Sequence, residues 1–428
     1  MKTKPSIKTK KEELHDFAYE SFRLYLDVVY GVHQNKSVLP LSLGYPLAKI
    51  FPLPEEILWK LSPVDKNGNE KLRPGYGWEA GSQPLRETII SYENTRHNTK
   101  YSLSNVCMTA GGSYALNRVF ENIFHNLTAG EKEIIIVAPT FYRMVNRASE
   151  HARVINYVTN RSNKFFPTVE GLSKLVKNQT KAIFICNPTN PGYNYHDRQL
   201  LIDLVNFVEK KKIYLIIDEV GDNFFHHTFF RHDPSIQSKY VIRICSSSKA
   251  YQLAEYRLGY VIADPSFIGN KTNGFVKLIG DDMGNPPLAA NEAWQTILIH
   301  ESNWIHRNGR NRNKTVNDYE RVIARNELSI QSKCDLVIRM LSKSQNVTDI
   351  IPPDASFNLT FQFKSTRLHT DIEFFEKLLD KYQISIVPCS GFGLQPEDKY
   401  LRMTFAISTH QLKEGLDKLL LFLKEINR

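Results

Sequence analysis

Cysteine is scarce in this chain. Five residues in 428, Cys107, Cys186, Cys245, Cys334 and Cys389, lie far apart, and no CxxC pair occurs. That scatter excludes a disulfide-stapled scaffold and a zinc ribbon, and it predicts reduced thiols in a cytoplasmic protein without a metal site. Long apolar runs are missing too. None approaches the roughly 20 residues that a membrane-spanning helix requires, so no membrane partner is expected. The opening MKTKPSIKTKKEE is charged and holds no apolar signal core. Internal repeats and low-complexity linkers are absent. The net charge is +10 and the pI about 9.1, but part of that excess sits in the first dozen residues. No dense Lys/Arg stripe crosses the body of the chain, so nucleic acid is not expected as a partner. An anionic cofactor fits the balance as well.

What is present reads as an ordinary globular enzyme-sized chain, 42% hydrophobic and 23% charged, long enough for two or more packed lobes. Short apolar runs recur as EIIIVAP (133–139), KAIFICNP (181–188), IYLIIDE (213–219), YVIRICS (240–246) and LGYVIAD (258–264). They lack polar alternation, as strands covered on both faces do. Amphipathic stretches lie between them. SYALNRVFENIFHNL places Ala115, Leu116, Val119, Phe120, Ile123 and Phe124 on one stripe, and HDRQLLIDLVNFVEKKK repeats the pattern. Strand, helix, strand in sequence predicts an α/β domain with a mostly parallel central sheet flanked by helices. After about Asp281 the pattern changes to a long helical region over 288–344 and then a mixed tail, which predicts a smaller α+β domain. The expected division is 1–50 as a segment packing on the small domain, 51–300 as the large domain and 301–428 as the small one.

Ligands of a doubly wound sheet bind beyond the carboxyl ends of its strands, so the residues there carry the functional question. TAGGSYAL (109–116) offers Gly112 and Ser113 at a helix start, where free N–H groups and the helix dipole suit a phosphate. Taken alone, a glycine turn with a serine cap is the more ordinary explanation. Phe141 stands just past one strand, ready to stack on a planar ring or simply to pack. CNPTNPGYN (186–194) doubles Asn-Pro in a stiff loop that aims Asn190, which turn chemistry alone does not readily explain. Asp218 closes YLIID, where a carboxylate is a helix cap, a metal ligand or the partner of a protonated ring nitrogen. SSSKAYQLAEYRLGY (246–260) puts Lys249 at the mouth of an apolar sheet. Desolvation there lowers an amine's pKa and suits it to Schiff-base chemistry, with Ser246, Ser248 and Arg257 as phosphate donors. Arg402 interrupts the β-like YLRMTFA. It meets either a structural carboxylate or a substrate carboxylate. Together these are the parts that pyridoxal phosphate (PLP) chemistry on an amino acid needs.

In this order and spacing the chain resembles the class I/II aminotransferases of the fold-type I PLP-dependent enzymes, from LSLGYP (41–46) to YLRMTFA (400–406). VPCSGFG (387–393) is similar to the loop that precedes the family's arginine, and YGWEAGSQPLRETI (76–89) to its tyrosine segment. The resemblance implies that Lys249 forms the Schiff base and acts as the base. It implies that Asp218 holds the ring nitrogen protonated, Asn190 bonds the ring hydroxyl oxygen and Phe141 stacks on the ring. Gly112, Ser113, Ser246, Ser248 and Arg257 would hold the phosphate, and Tyr76 would reach the phosphate of a partner subunit, which implies a homodimer. Gly44, Asn190 and Arg402 would take the substrate carboxylate. The expected reaction is amino transfer between an L-amino acid and a 2-oxo acid.

Two departures leave other outcomes open, namely a lyase, decarboxylase or oxidase of an amino acid. The family usually carries a tyrosine three positions after the aspartate. This chain has Gly221, which predicts a lost donor and free space beside the cofactor. Glu255 stands where a small residue is common. Asp281 and Asp282 are either a solvated acidic turn or a hint of a side-chain pocket that favours a cationic or polar amino acid over aspartate or glutamate. A transcription regulator of this fold is disfavoured because the motifs begin by Leu41. A catalytically dead binding module is disfavoured because Lys249, Asp218 and Arg402 are intact.

Overall fold

In the computed structural model the described residues are 37–46, 49–65, 67–71, 75–222, 234–307, 315–354 and 356–427. Most of the expected N-terminal segment therefore lies outside them. The strands run in chain order as β1 (Leu39–Pro40), β2 (Val106–Thr109), β3 (Glu133–Ala138), β4 (Arg153–Val158), β5 (Thr180–Cys186), β6 (Tyr214–Asp218), β7 (Val241–Ser246), β8 (Gly259–Ile262), β9 (Val347–Ile351), β10 (Asn358–Phe363), β11 (Ile384–Ser385), β12 (Val387–Pro388) and β13 (Tyr400–Thr404).

The main sheet has seven strands in the order β2-β8-β7-β6-β5-β3-β4. β8 pairs antiparallel with both neighbours, and the other pairings are parallel. The five apolar runs form the middle of this sheet, buried except at Lys181 and Tyr214, as their unbroken hydrophobicity predicts. The sequence analysis did not name β2 and β4. β2 is only four residues, VCMT, and β4 is an edge strand whose side chains are half exposed. Helices Gly112–Phe124 and Arg198–Lys211 follow β2 and β5 and bury the predicted stripes against the sheet. The long helical region resolves into Asn291–His306 and Asp318–Leu341. Among the described residues no helix is long and apolar enough to cross a membrane.

The smaller unit is an antiparallel sheet, β12-β13-β10-β9. Its pleat separates two jobs. Leu359, Phe361, Leu401 and Met403 turn to a core shared with the helices Asp371–Tyr382 and Thr409–Glu425. Thr360 and Arg402, opposite each other in the register, turn to the main sheet. Residues 37–46 join this unit. β1 pairs with β11, and the Thr404 amide donates to the Leu41 carbonyl at 2.8 Å.

One buried charge cluster ties the middle of the main sheet to helix Gln83–His97. Arg243, on β7, is wholly buried. Its Nε and one terminal nitrogen donate to Glu219 at 3.1 and 2.7 Å, and the other terminal nitrogen donates to Glu93 at 2.6 Å. Tyr260, on β8, donates its hydroxyl to Glu93 at 2.5 Å. A second pair lies close by, where Arg96 grips Asp222 at 2.5 and 3.0 Å.

Removing one partner of such a cluster strands the rest without water. Arg243→Met is expected to cost about 3–5 kcal/mol in urea denaturation. Adding Glu93→Gln and Glu219→Gln to that variant should recover part of the loss, because the uncompensated charges are then gone.

Candidate active site

The sheet register builds the site. Thr109, Gly259 and Ser246 stand in one row across β2, β8 and β7. Cys186, Asp218 and Ile244 form another row across β5, β6 and β7, two residues back along β7. The carboxyl ends of the parallel strands thus bring three of the predicted motifs to one edge.

On the first row the chain leaves β2 and enters helix Gly112–Phe124 through Gly111, whose φ of 84° requires glycine. A Cβ on Gly111 would sit 2.6 Å from an Arg257 guanidinium nitrogen, and one on Gly112 would collide with Val220. A Cβ on Gly259 would lie 2.9 Å from the Cys245 carbonyl and 3.0 Å from Gly111. Backbone amides, the helix N-terminus and Arg257 therefore converge on one small cradle. Ser113 is not the cap, as Gly111 takes that place, and it stands exposed one residue into the helix. Ser246 and Ser248 are buried and bonded to each other, hydroxyl to hydroxyl at 2.8 Å.

Lys249 follows, partly buried. Its Nζ donates to the Gly44 carbonyl at 2.6 Å. Burial brings its amine down to about 8, and the charges of Arg402 and Arg257 push the same way. Asp218 is buried, and burial lifts its carboxyl to about 6. The Val220 amide, at 2.9 Å from Oδ1, resists that rise, while the charge of Glu219 adds to it. Both groups are thus drawn toward neutrality from opposite ends of the scale.

Arg402 and Asn190 meet, since a guanidinium nitrogen donates to the Asn190 Oδ1 at 3.1 Å. The Arg402 Nε is buried and has no hydrogen-bond partner among the described residues. Its guanidinium lies over the Phe392 ring, 4.8 Å from the centroid. Phe392 belongs to the turn 389–392, which buried Asp371 holds by accepting the Ser390 amide at 2.7 Å. The Phe392 carbonyl in turn accepts the Thr140 amide at 2.8 Å, beside Phe141, which packs on the same apolar cluster.

Tyr76 does not join this cluster within one chain. It is 92% exposed, next to Trp78 at 72%. Asp281 and Asp282 lie on helix Gly274–Met283, not in a turn. Asp281 pairs with Lys277, and Asp282 accepts the Tyr114 hydroxyl at 2.5 Å. Both are engaged with side chains of the chain's own surface. Glu255 is exposed. The space expected beside Gly221 is not free. A Cβ there would lie 3.3 Å from the Tyr193 ring.

Sequence reasoning missed Gly111, Tyr193, Phe392 and the Arg243 cluster. For Arg243 the signal was available. It breaks the apolar YVIRICS as Arg402 breaks YLRMTFA.

Comparison with known proteins identifies the family and the fold. The chain matches the pattern of the family "Aminotransferase class I and II" over residues 60–419. It is 25% identical to an aspartate aminotransferase of Thermotoga maritima, over 91% of this chain and 92% of that one. It is 22% identical to a glutamate-pyruvate aminotransferase of Haemophilus influenzae, over 92% of each. Among solved structures it superposes on the Thermotoga maritima aspartate aminotransferase with a TM-score of 0.76 at 24% identity, covering 94% of this chain and 96% of the other. An aromatic aminotransferase of Pyrococcus horikoshii gives 0.76 at 21%, covering 91% and 96%. At such identities the structural likeness establishes the fold.

The raised Asp218 carboxyl has a measurable cost. The unfolded chain releases this proton near 3.8 and the native state only near 6. Stability therefore falls as pH rises between those values, and the penalty of about 2–3 kcal/mol persists above them. In protein stripped of small molecules, Asp218→Asn should be more stable than the parent by about that amount at pH 8, with the gap closing toward pH 4. Urea denaturation at the two pH values checks it, and a gap that does not vary with pH would refute it.

Proposed function

The chain belongs to the class I and II aminotransferase family, whose members depend on pyridoxal phosphate, and we propose that the cluster around Lys249 is where it moves an amino group between an L-amino acid and a 2-oxo acid. The observation that carries the assignment is the state of Lys249. It is an amine at the mouth of an apolar sheet, bonded to the Gly44 carbonyl and eased toward its neutral form by burial and by the charges of two arginines.

The residues present fit the cofactor. The glycine cradle at Gly111 and Gly112, with Arg257, Ser246, Ser248 and Ser113, offers donors and no bulk where a phosphate would sit. Phe141 would face the ring, Asn190 the ring hydroxyl and Asp218 the ring nitrogen. Lys249 would hold the group covalently. When bound, pyridoxal phosphate supplies an electron sink for the α-carbon of the amino acid.

The chain's own residues do the rest. Arg402 receives the substrate carboxylate, because its Nε is a buried donor that lacks an acceptor. Asn190 and the Phe392 ring fix the plane of that guanidinium, and the Gly44 backbone would complete the carboxylate site. Lys249 Nζ, once free, takes the α-proton. An amine whose pKa is about 8 is matched to that task at neutral pH. Asp218 stays ionised when a cation faces it, and its charge holds a proton on the ring nitrogen.

The large unit, 51–300, would carry the cofactor, and the small unit, 301–428, the substrate arginine. The segment 1–50 would pack on the small unit, a reading that the β1–β11 pairing supports. Tyr76 and Trp78, both strongly exposed, fit a homodimer in which Tyr76 reaches the phosphate of the second subunit. Five buried thiols with no disulfide fit a cytoplasmic setting.

The parent protein loaded with cofactor is expected to show a visible absorption band that Lys249→Ala lacks. An amino acid alone should bleach it, and a 2-oxo acid should restore it. Release of ammonia, carbon dioxide or peroxide without an oxo acid would favour a lyase, decarboxylase or oxidase instead.

Sharing of sites predicts complementation. Lys249→Ala and Tyr76→Ala subunits, each inactive or weak, should regain about a quarter of the parent activity when mixed and reassociated. Half of the dimers are then hybrids with one intact site. A fully active monomer in sedimentation would rule the arrangement out.

A further inference from the structure

Tyr193 is an aromatic residue in a backbone conformation that bulky side chains avoid, with φ of 56°. Such strain persists where the surroundings over-determine it, and it collects at functional sites. Here the surroundings are specific. The Tyr193 amide donates to the Thr189 carbonyl at 2.7 Å, and its carbonyl accepts the Asp354 amide at 3.1 Å. Its ring is buried and tilts against Phe357, centroid to centroid 6.2 Å. The ring edge lies over Gly221. A Cβ at 221 would find Tyr193 Cε1 at 3.3 Å and Cδ1 at 3.6 Å, with Pro188 Cγ also at 3.6 Å.

Gly221 itself is not in the left-handed region, so its backbone does not demand glycine. The Tyr193 ring crowds it, since a Cβ there would press on the ring edge. Each follows a site residue by three positions, Tyr193 after Asn190 and Gly221 after Asp218. The ring edge therefore packs over the position three residues after Asp218, from a loop that leaves Asn190 three residues earlier.

We propose that the Tyr193 phenol does the work of a side chain at 221. It walls the site on that side and donates a hydrogen bond to the ring hydroxyl oxygen of the bound cofactor, beside Asn190. This rests on the pyridoxal phosphate reading.

A pH titration of the visible band tests it in the cofactor-loaded protein. Tyr193→Phe keeps the ring and its packing but removes the donor. Loss of a donor to an oxygen that carries charge in the deprotonated form should raise the midpoint by about one pH unit. The melting temperature of that variant should stay within a few degrees of the parent. Exchanging the two side chains, Tyr193→Gly with Gly221→Tyr, should bring the midpoint back toward the parent value. Gly221→Tyr alone should lower the melting temperature sharply, since the ring leaves no room. A parent band with an unmoved Tyr193→Phe midpoint overturns the Tyr193 assignment alone. A parent protein that shows no band with added cofactor overturns it together with the cofactor reading.

Discussion

The Arg243 guanidinium is the constraint on which the rest of the site depends. It is buried within a sheet of apolar strands, and among the described residues Glu219 and Glu93 are the carboxylates that pair with it. Glu219 is the residue after Asp218, and Arg243 lies three residues before Ser246. A shift of β6 against β7 by one residue would turn the two charges to opposite faces and leave both unpaired in a dry interior. The pair therefore fixes the register of the two strands whose ends carry Asp218 and the Ser246–Lys249 run. Glu93 and Tyr260 extend the same restraint to helix Gln83–His97 and to β8, which abuts the glycine cradle.

Above that clamp the site is costly when empty. The same burial lifts Asp218 to about 6 and brings Lys249 down to about 8. Among the described residues neither charge has an ion-pair partner there, and the Arg402 Nε lacks an acceptor. A structural ion pair would have been built closed, as Arg96–Asp222 is. These groups instead wait for charges that the protein does not supply. The free energy of that mismatch is stored by the packing around them and released when a ligand of the opposite charge pattern enters.

Much of this was legible in the sequence, and what was not has physical reasons. Unbroken apolar runs gave the central strands, because strands covered on both faces need no alternation. The edge strand β4 and the four-residue β2 gave no such signal. Lys249, Asp218, Asn190 and Arg402 could be read as single residues at strand ends or loops, since each is the wrong polarity for its surroundings unless it is used. Arg243 has the same mark, but its carboxylate partners lie 150 and 24 residues away. Only the fold shows that they meet. Gly221 read as a gap because a missing side chain is visible in sequence, whereas the ring that fills the gap comes from another loop.

That loop also explains how an arginine of the small sheet reaches the large one. The segment from Asn187 to Tyr195 is bonded repeatedly to the small unit. The Thr360 hydroxyl donates to the Pro191 carbonyl at 2.9 Å, the Asn194 amide to the Pro352 carbonyl at 2.9 Å and the Tyr195 backbone to Asp354 at 3.0 Å. Thr360 lies opposite Arg402 in the β10–β13 register. The bond that docks the sheet on the loop and the bond from Arg402 to Asn190 are therefore one cross-strand step apart. The placement of the carboxylate-binding guanidinium is set where the two units join. Alternation along β13 turns Leu401 and Met403 into the small core and leaves Arg402 facing the join. A period of two thus puts a charge on the single buried face where a ligand can meet it.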